Sequence, residues 1–346
     1  MANAQYSTAV FIGRFQPFHL GHVSIINEGL RVADSVLVLI GSSDAPSSYR
    51  NPFLYNERAS MIEDRFPTGS GVHVMPLPDC NYNDSQWIMS VQECVNQHLA
   101  DMGHEPNESV CLIGHSKDAS SYYLKMFPQW ESVEVPNYKN LNSTDIRSSY
   151  FSNIGHMWLN DCETLVPANV KNFLQDFIHT YTYREIKEEY DFIVKYKAAW
   201  ANSPYPPTFV TVDAVVVQSG HVLLVKRGAQ PGLGQWALPG GFINQNERIA
   251  DAVIRELREE TGIKVPDPVL RGSVVVREVF DDPYRSARGR TITHASLIKL
   301  KDDVTLPKVK GGDDAVKARW VPIAQLYRQD FFEDHYDILM NLIARI

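Results

Sequence analysis

The chain of 346 residues contains only four cysteines (Cys80, Cys94, Cys111 and Cys162), none spaced as C-x-x-C. That scarcity excludes a disulfide framework and a zinc-type spacing, and it points to a reducing, cytoplasmic compartment. Long apolar runs are also missing: nothing in the sequence approaches the ~18 residues that a membrane span needs. The opening MANAQYSTAVFIGR has no basic segment followed by an apolar one, so no signal peptide is expected. Basic residues are scarce in one half only. Residues 1–185 carry 11 Lys+Arg against 20 Asp+Glu, net −9, whereas residues 186–346 carry 22 against 21, net +1. An acidic half with so few cations is a poor surface for a phosphate backbone, so a nucleic-acid partner is not expected. Internal repeats, low-complexity tracts and a P-loop G-x-x-x-x-G-K-[ST] are absent as well.

What remains is an ordinary globular composition, 44% hydrophobic, in a chain too long for one core. The first half alternates buried-strand runs (Thr8–Gly13, Ser35–Gly41, Val72–Leu77, Ser109–Gly114) with amphipathic stretches (His19–Ala33, Asn56–Phe66, Ser85–Met102). This alternation predicts a doubly wound parallel α/β sheet, with ligands at the C-terminal ends of its strands. A charged helix, Arg184–Ala201, then meets the proline-rich segment 202–207, where helix and domain should end. Three regions follow: a first domain over 1–183, a linker over 184–206 and a second domain over 207–346. In the second, Phe209–Val217 and His221–Arg227 read as a strand pair and Glu247–Glu260 as a helix. Val269–Phe280, Arg290–Leu300 and Ala318–Val321 read as strands, and Asp330–Arg345 as a closing helix. That order predicts an α/β/α sandwich.

The first chemical constellation is the stretch from Gly13 to His22, GRFQPFHLGH, which leaves the first strand and enters the first helix. A helix N-terminus presents unpaired N–H groups to an anion. His19 and His22, three apart, share one side of it and can donate to phosphate. A capped helix with two solvent-facing histidines is the plain alternative. Gly21 reads as a place where a ligand approaches the backbone. Arg14, Arg50 and Arg147 are three of the 11 cations in this half and all fall inside motif-like segments; as planar permanent donors they suit a triphosphate. Ser143 and Thr144 stand at an expected helix start, where hydroxyls and amides bind phosphate. Trp87 reads either as an aromatic stacking platform or as a core residue.

His19-x-Gly21-His22 resembles the [H/T]-x-G-H hallmark of the nucleotidyltransferase superfamily, and the longer stretch resembles the archaeal-type nicotinamide-mononucleotide (NMN) adenylyltransferases. Gly41-Ser42-Ser43, Arg50-Asn51-Pro52-Phe53 with Glu57-Arg58, the Asp79–Trp87 loop (DCNYNDSQW) and Asn142–Ser148 resemble further motifs of that family. The resemblance implies NAD and pyrophosphate made from NMN and ATP, with Mg²⁺ on the ATP. His19, His22 and Arg147 would be catalytic. Gly13, Arg14, Phe15, Gly21, Ser42, Arg50 and Asn51 would line the ATP and NMN sites, with Asp79, Trp87, Gly114, Lys117, Asp118, Ser143 and Thr144.

The second constellation fills every specified position of G-x5-E-x7-R-E-U-x-E-E-x-G-U, from Gly241 through Glu247, Arg255, Glu256, Glu259 and Glu260 to Gly262-Ile263. On a helix Glu256, Glu259 and Glu260 share one face. Three clustered carboxylates call for a cation, and hard oxygen donors select Mg²⁺ or Mn²⁺. Arg255, four before Glu259, is placed to orient it rather than to bind substrate. Glu247 is about half a turn out of phase with Glu256, so a ligand role for it needs the chain to bend.

This pattern is identified as a Nudix box, with WALPGG at Trp236–Gly241 as its usual entry. The resemblance implies a metal held by Gly240, Glu256, Glu259 and Glu260, with Glu259 and Glu260 catalytic. The segments Phe280–Pro283 and Arg288–Arg290 resemble ADP-ribose-type members, which implies contacts from Asp282, Arg288 and Arg290. The usual substrate-class marker is missing, since position 279 is Val. The general base stays open among Glu259, Glu260, Asp281, Asp282, Asp313 and Asp314; Gly311–Asp314 reads equally as a turn. Both modules together resemble bifunctional NMN adenylyltransferase/Nudix proteins, whose small-molecule partners would be ATP, NMN, NAD and ADP-ribose. The alternatives are a Nudix domain acting on another nucleoside diphosphate derivative, or one serving as a ligand sensor. The composition leaves room for a homo-oligomer.

Overall fold

A computed structural model of the chain describes residues 5–105, 109–115, 125–152, 155–312 and 315–346. The chain divides into two compact units, Met1–Lys187 and Glu188–Ile346, with the divide inside the helix Tyr181–Ala198. Among the described residues no helix is long and apolar enough to cross a membrane, and the four cysteines are free thiols.

The first unit is built on five parallel strands: β1 (Tyr6–Gly13), β2 (Ala33–Ile40), β3 (Val72–Pro76), β4 (Val110–Gly114) and β5 (Glu131–Glu134). Their order is β3-β2-β1-β4-β5. Helices α1 (Leu20–Val32), α2 (Tyr55–Glu63) and α3 (Asp84–Asp101) make the crossovers, and α4 (Ser143–Tyr150), α5 (Gly155–Asp161), α6 (Ala168–Phe177) and the first part of α7 (Tyr181–Ala198) complete the unit. The runs AVFI and VLVLI form strands because both faces are covered; Val36 through Ile40 are fully buried. The strand order reverses between β1 and β4, and in such sheets a crevice opens there beyond the carboxyl ends of the strands. Gly13 ends β1 and Gly114 ends β4, so both border that point.

The second unit is a mixed sheet in the order β10-β11-β6-β7-β12, with β8 added to β7 and β9 to β6. Its strands are β6 (Phe209–Gln218), β7 (His221–Arg227), β8 (Trp236–Ala237), β9 (Gly240–Phe242), β10 (Val274–Phe280), β11 (Thr291–Lys299) and β12 (Ala315–Pro322). Helix α8 (Ile249–Thr261) packs Ala252, Val253, Ile254 and Leu257 against Val212, Ala214 and Val216 of β6. Its end is set by Gly262, whose φ of 54° places it in the left-handed region and whose N–H closes onto the Arg258 carbonyl. Two short helices, α9 (Asp267–Gly272) and α10 (His335–Ile343), complete the unit.

Three expectations need correction. The box helix starts at Ile249 rather than Glu247, because Glu247 turns its carboxylate back onto Asn244 N–H. The stretch Val269–Phe280 is not one strand: Asp267–Gly272 is helical, opened by the Pro266 cap and Pro268 in the first turn. The closing helix begins at His335 rather than Asp330.

Candidate active sites

In the first unit the histidine pair has a definite chemistry. His19 is the N-cap of α1: its Nδ1 accepts from the Gly21 N–H at 3.1 Å, and its own N–H donates to His22 Nδ1 at 3.1 Å. Both Nδ1 atoms are thus acceptors, which leaves each neutral imidazole its proton on Nε2. The rings stack with centroids 3.6 Å apart. Burial, reinforced by His19, holds the His22 pKa well below its ordinary 6.5. The plain reading of a capped helix is therefore half right: the cap exists, but the rings are packed, with His19 buried and His22 against Phe15 and Phe18. Gly21 also has a reason within the fold. A Cβ there would lie 2.9 Å from the His19 ring, so the glycine makes room for the histidine itself.

The arginines expected to meet phosphate come together. Arg14 reaches solvent yet lies deep enough that loss of hydration, with repulsion from Arg50 and Arg147, pulls its pKa down to about 9. Arg147, on α4, is buried; it donates to the Gln16 carbonyl at 2.6 Å and to Thr144 Oγ1 at 3.4 Å, and burial pulls its pKa down to about 10. Its Nε and the Asn51 Oδ1 are buried without a hydrogen-bond partner. Such orphans cost about 1–3 kcal/mol each unless a ligand or water meets them. Ser143 opens α4 above the Asn142 cap, its Oγ donating to the Pro17 carbonyl. Asp79 accepts from the Ser42 N–H at 3.2 Å. Phe15 and Ser42 take left-handed backbone conformations, with φ of 53° and 50°. Trp87, half-buried on α3, has its ring centroid 6.1 Å from that of Phe127 and packs against the core while remaining partly exposed. Lys117 and Asp118 lie outside the described residues.

Sequence reasoning assigned no role to Arg58. It is 1% exposed and donates to four backbone carbonyls, Arg14, Gly41, Ser42 and Leu54. The only signal was its place in the NPF…ER segment.

In the second unit α8 presents its acids beside β9. Arg255 is the hub: Nε and Nη2 bind Glu247 at 2.7 and 2.8 Å, and Nη1 binds Glu256 at 2.7 Å and Glu259 at 2.8 Å. Glu247 therefore acts through Arg255, which answers its unfavourable phase. Gly241 brings the chain close to Glu256; a Cβ there would sit 2.7 Å from that carboxyl. Glu260 turns away from Arg255 and accepts from the Gly240 N–H at 2.9 Å. Burial, with repulsion from Glu256 and Asp213, pushes its pKa up to about 8, and burial likewise raises Glu256. The expected convergence of three carboxylates is thus only partial: Arg255 draws Glu256 and Glu259 to itself. Among the described residues no three His, Cys, Asp or Glu side chains are grouped closely enough to hold a metal. The donors nevertheless fit a hard divalent cation, because Gly240, Glu256, Glu259 and Glu260 can offer oxygen alone.

Beneath Gly240 lies a network that sequence reasoning missed. Asp213, buried on β6, accepts from Thr293 Oγ1 at 2.5 Å and has Oδ1 3.9 Å from His335 Nδ1. His335 Nδ1 accepts from the Leu238 N–H, and burial pulls its pKa down to about 3. Arg285 and Asp334 form a buried bidentate pair at 2.8 and 2.9 Å. The signal for Asp213 was a lone acid in the apolar run TVDAVVV. Arg288 stacks over Phe242 and Phe332, at 5.3 and 5.9 Å, so it belongs to this neighbourhood. Arg290 is tied to Asp281, and Asp282 accepts from the Tyr284 N–H within an exposed turn. The structure does not bring Arg290 or Asp282 to the acids of α8 through any described contact. Asp313 and Asp314 lie outside the described residues.

Fold and sites define a chain with a nucleotidyltransferase-type parallel-sheet domain followed by a Nudix domain. The cytidylyltransferase-like family model matches residues 10–81, and the NUDIX domain model matches residues 207–342. The nicotinamide/nicotinic acid mononucleotide adenylyltransferase of Acinetobacter baylyi is 34% identical over 54% of this chain and 94% of its own. The ADP-ribose pyrophosphatase of Methanocaldococcus jannaschii is 35% identical over 38% of this chain and 71% of its own. A bifunctional NMN adenylyltransferase/ADP ribose pyrophosphatase from Francisella tularensis, solved with AMP and a manganese ion, superposes with a TM-score of 0.87. It shares 36% identity and covers 98% of this chain and 99% of that one. The chain belongs to the family of bifunctional NMN adenylyltransferase/ADP-ribose pyrophosphatase proteins.

Proposed function

We propose that this chain makes NAD and pyrophosphate from NMN and ATP in its first domain (1–183), and hydrolyses ADP-ribose to AMP and ribose 5-phosphate in its Nudix domain (207–346), beyond a linker at 184–206. A cytoplasmic location is part of this reading. The observation that carries it is the pairing of two neutral Nε2–H donors at a helix N-terminus with a cluster of crowded arginines. The NMN 5′-phosphate attacks the α-phosphorus of ATP, and the bond to pyrophosphate breaks as the new P–O bond forms. No protein nucleophile is required; the residues position and stabilise charge. His19 and His22 donate to the reacting phosphate, and Arg14, Arg50 and Arg147 neutralise the triphosphate, which enters with Mg²⁺. Burial lowers the pKa values of Arg14 and Arg147, repulsion from Arg50 adds to it, and a bound anion relieves that repulsion.

In the Nudix domain Gly240, Glu256, Glu259 and Glu260 would hold Mg²⁺ or Mn²⁺. When bound, such an ion neutralises pyrophosphate charge and activates the attacking water. Arg255 and Glu247 keep the acids on one face, and Arg288 over Phe242 and Phe332 supplies a cationic, aromatic contact for the nucleotide. The test is chromatography of products after separate incubations with NMN plus MgATP and with ADP-ribose plus Mg²⁺ or Mn²⁺. NAD in the first and AMP in the second are expected. No NAD in the first, or intact ADP-ribose in the second, refutes the corresponding half.

A further inference from the structure

Arg58 is a buried cation whose described hydrogen bonds all go to main-chain carbonyls. It sits on α2, 1% exposed. Nη1 donates to the Arg14 and Gly41 carbonyls, both at 2.7 Å, Nη2 to Ser42 at 2.9 Å and Nε to Leu54 at 3.3 Å. Burying a guanidinium is costly, and burial pulls its pKa down to about 10 against the pull of Asp79 and Glu57. A fold that needed only packing would fill this place better with an apolar side chain.

The carbonyls it binds are informative. Arg14 immediately precedes Phe15, and Gly41 immediately precedes Ser42, the two residues in left-handed conformations beyond β1 and β2. Such conformations cost about 1 kcal/mol or more for a residue with a Cβ and persist only when neighbours enforce them. One planar fork thus pins the peptide planes on which both loops turn, and ties the chain beyond β1 to the chain beyond β2.

We propose that Arg58 is a positioning residue for nucleotidyl transfer: it holds the loops beyond β1 and β2 so that Arg14 and the Ser42 backbone meet the triphosphate, without itself touching substrate. This rests on the adenylyltransferase reading above. A lysine cannot bind the three carbonyls of both loops in one plane, so Arg58→Lys retains the charge and loses the geometry.

The test measures kcat and KM for MgATP and for NMN in the full chain for wild type, Arg58→Lys, Arg14→Ala and the double variant, with ADP-ribose hydrolysis and thermal unfolding recorded on the same samples. Arg58→Lys is expected to lower kcat for NAD formation 10- to 100-fold and to raise KM for MgATP more than KM for NMN, with hydrolysis unchanged. In the double variant the loss should fall short of the product of the two single losses, since the Arg14 side chain is one of the groups that Arg58 places. Wild-type kcat and KM in Arg58→Lys overturn the proposal. So does a multiplicative double loss, or a loss that disappears when the assay temperature is lowered by the shift in unfolding temperature, which would mark a merely structural role. If the wild-type chain itself makes no NAD, the adenylyltransferase reading fails first and takes this proposal with it.

Discussion

His19 has two separable tasks, and two substitutions divide them. As N-cap its Nδ1 accepts the Gly21 N–H; as a proposed donor its Nε2–H faces phosphate. His19→Ala removes both, together with the stack on His22 at 3.6 Å. His19→Asn loses the stack and the Nε2 donor but keeps an oxygen that caps well. Losing a cap costs about 1 kcal/mol, and losing a ring pair costs about 0.5–1.5 kcal/mol. The alanine variant should therefore be destabilised by roughly 2 kcal/mol and the asparagine variant by roughly 1 kcal/mol. That difference is about 2–4 °C in unfolding temperature for a domain of this size. Removing one donor to developing phosphate charge costs about 10²–10³ in kcat, and both variants lose it equally. The assay couples NAD formation to a dehydrogenase read at saturating NMN and MgATP, with calorimetry alongside and ADP-ribose hydrolysis as an internal control. If the asparagine variant keeps wild-type kcat, or if kcat falls in step with stability so that alanine is far worse, His19 is a cap and nothing more.

Glu259→Gln should cut ADP-ribose hydrolysis by at least about 10²-fold, the usual scale for a lost acid–base or metal-site group, and spare NAD synthesis; release of AMP at the wild-type rate would remove Glu259 from the site. Trp87→Ala should raise KM for NMN more than KM for ATP, because a half-buried indole keeps surface on which a pyridinium can stack; an unchanged KM for NMN returns Trp87 to the core. In the first unit His98, which burial holds at about 4, and His22 stay neutral in the fold while the unfolded chain takes up protons near pH 6.5. Their contribution is therefore fully present above pH 6.5 and lost as pH falls toward 4, by up to one proton per histidine in slope. Hydrogen exchange across Tyr6–Ile40 should show opening grow easier over that window, and His98→Gln should flatten the trend.

Much of the fold was legible because burial writes itself into composition. β1, β2 and β4 are covered on both faces and read as unbroken apolar runs, and α8 alternates an apolar face with an acid one. The edge strand β5, ESVE, is mostly exposed and carries no such pattern. α9 was misread because Val269 and Leu270 suit a strand locally, while Pro266 and Pro268 favour a helix start. The same division holds in the sites. The acids of the box and the histidine pair lie within a few turns of one helix, so spacing alone set them side by side. Asp213 meets Thr293 only after β6 and β11 pair, and Arg285 meets Asp334 only when the loop before β11 packs beside the start of α10.

By itself, then, the amino-acid sequence determined which residue types could do chemistry and which of them a helix would align. Contacts between neighbours in the chain follow from the helical repeat. The tertiary structure decided their states. It buried His22 and so held it neutral, turned Glu260 onto Gly240, and crowded three arginines into one place. Protonation and hydrogen bonding depend on burial and on partners brought together from distant parts of the chain, and local spacing contains neither.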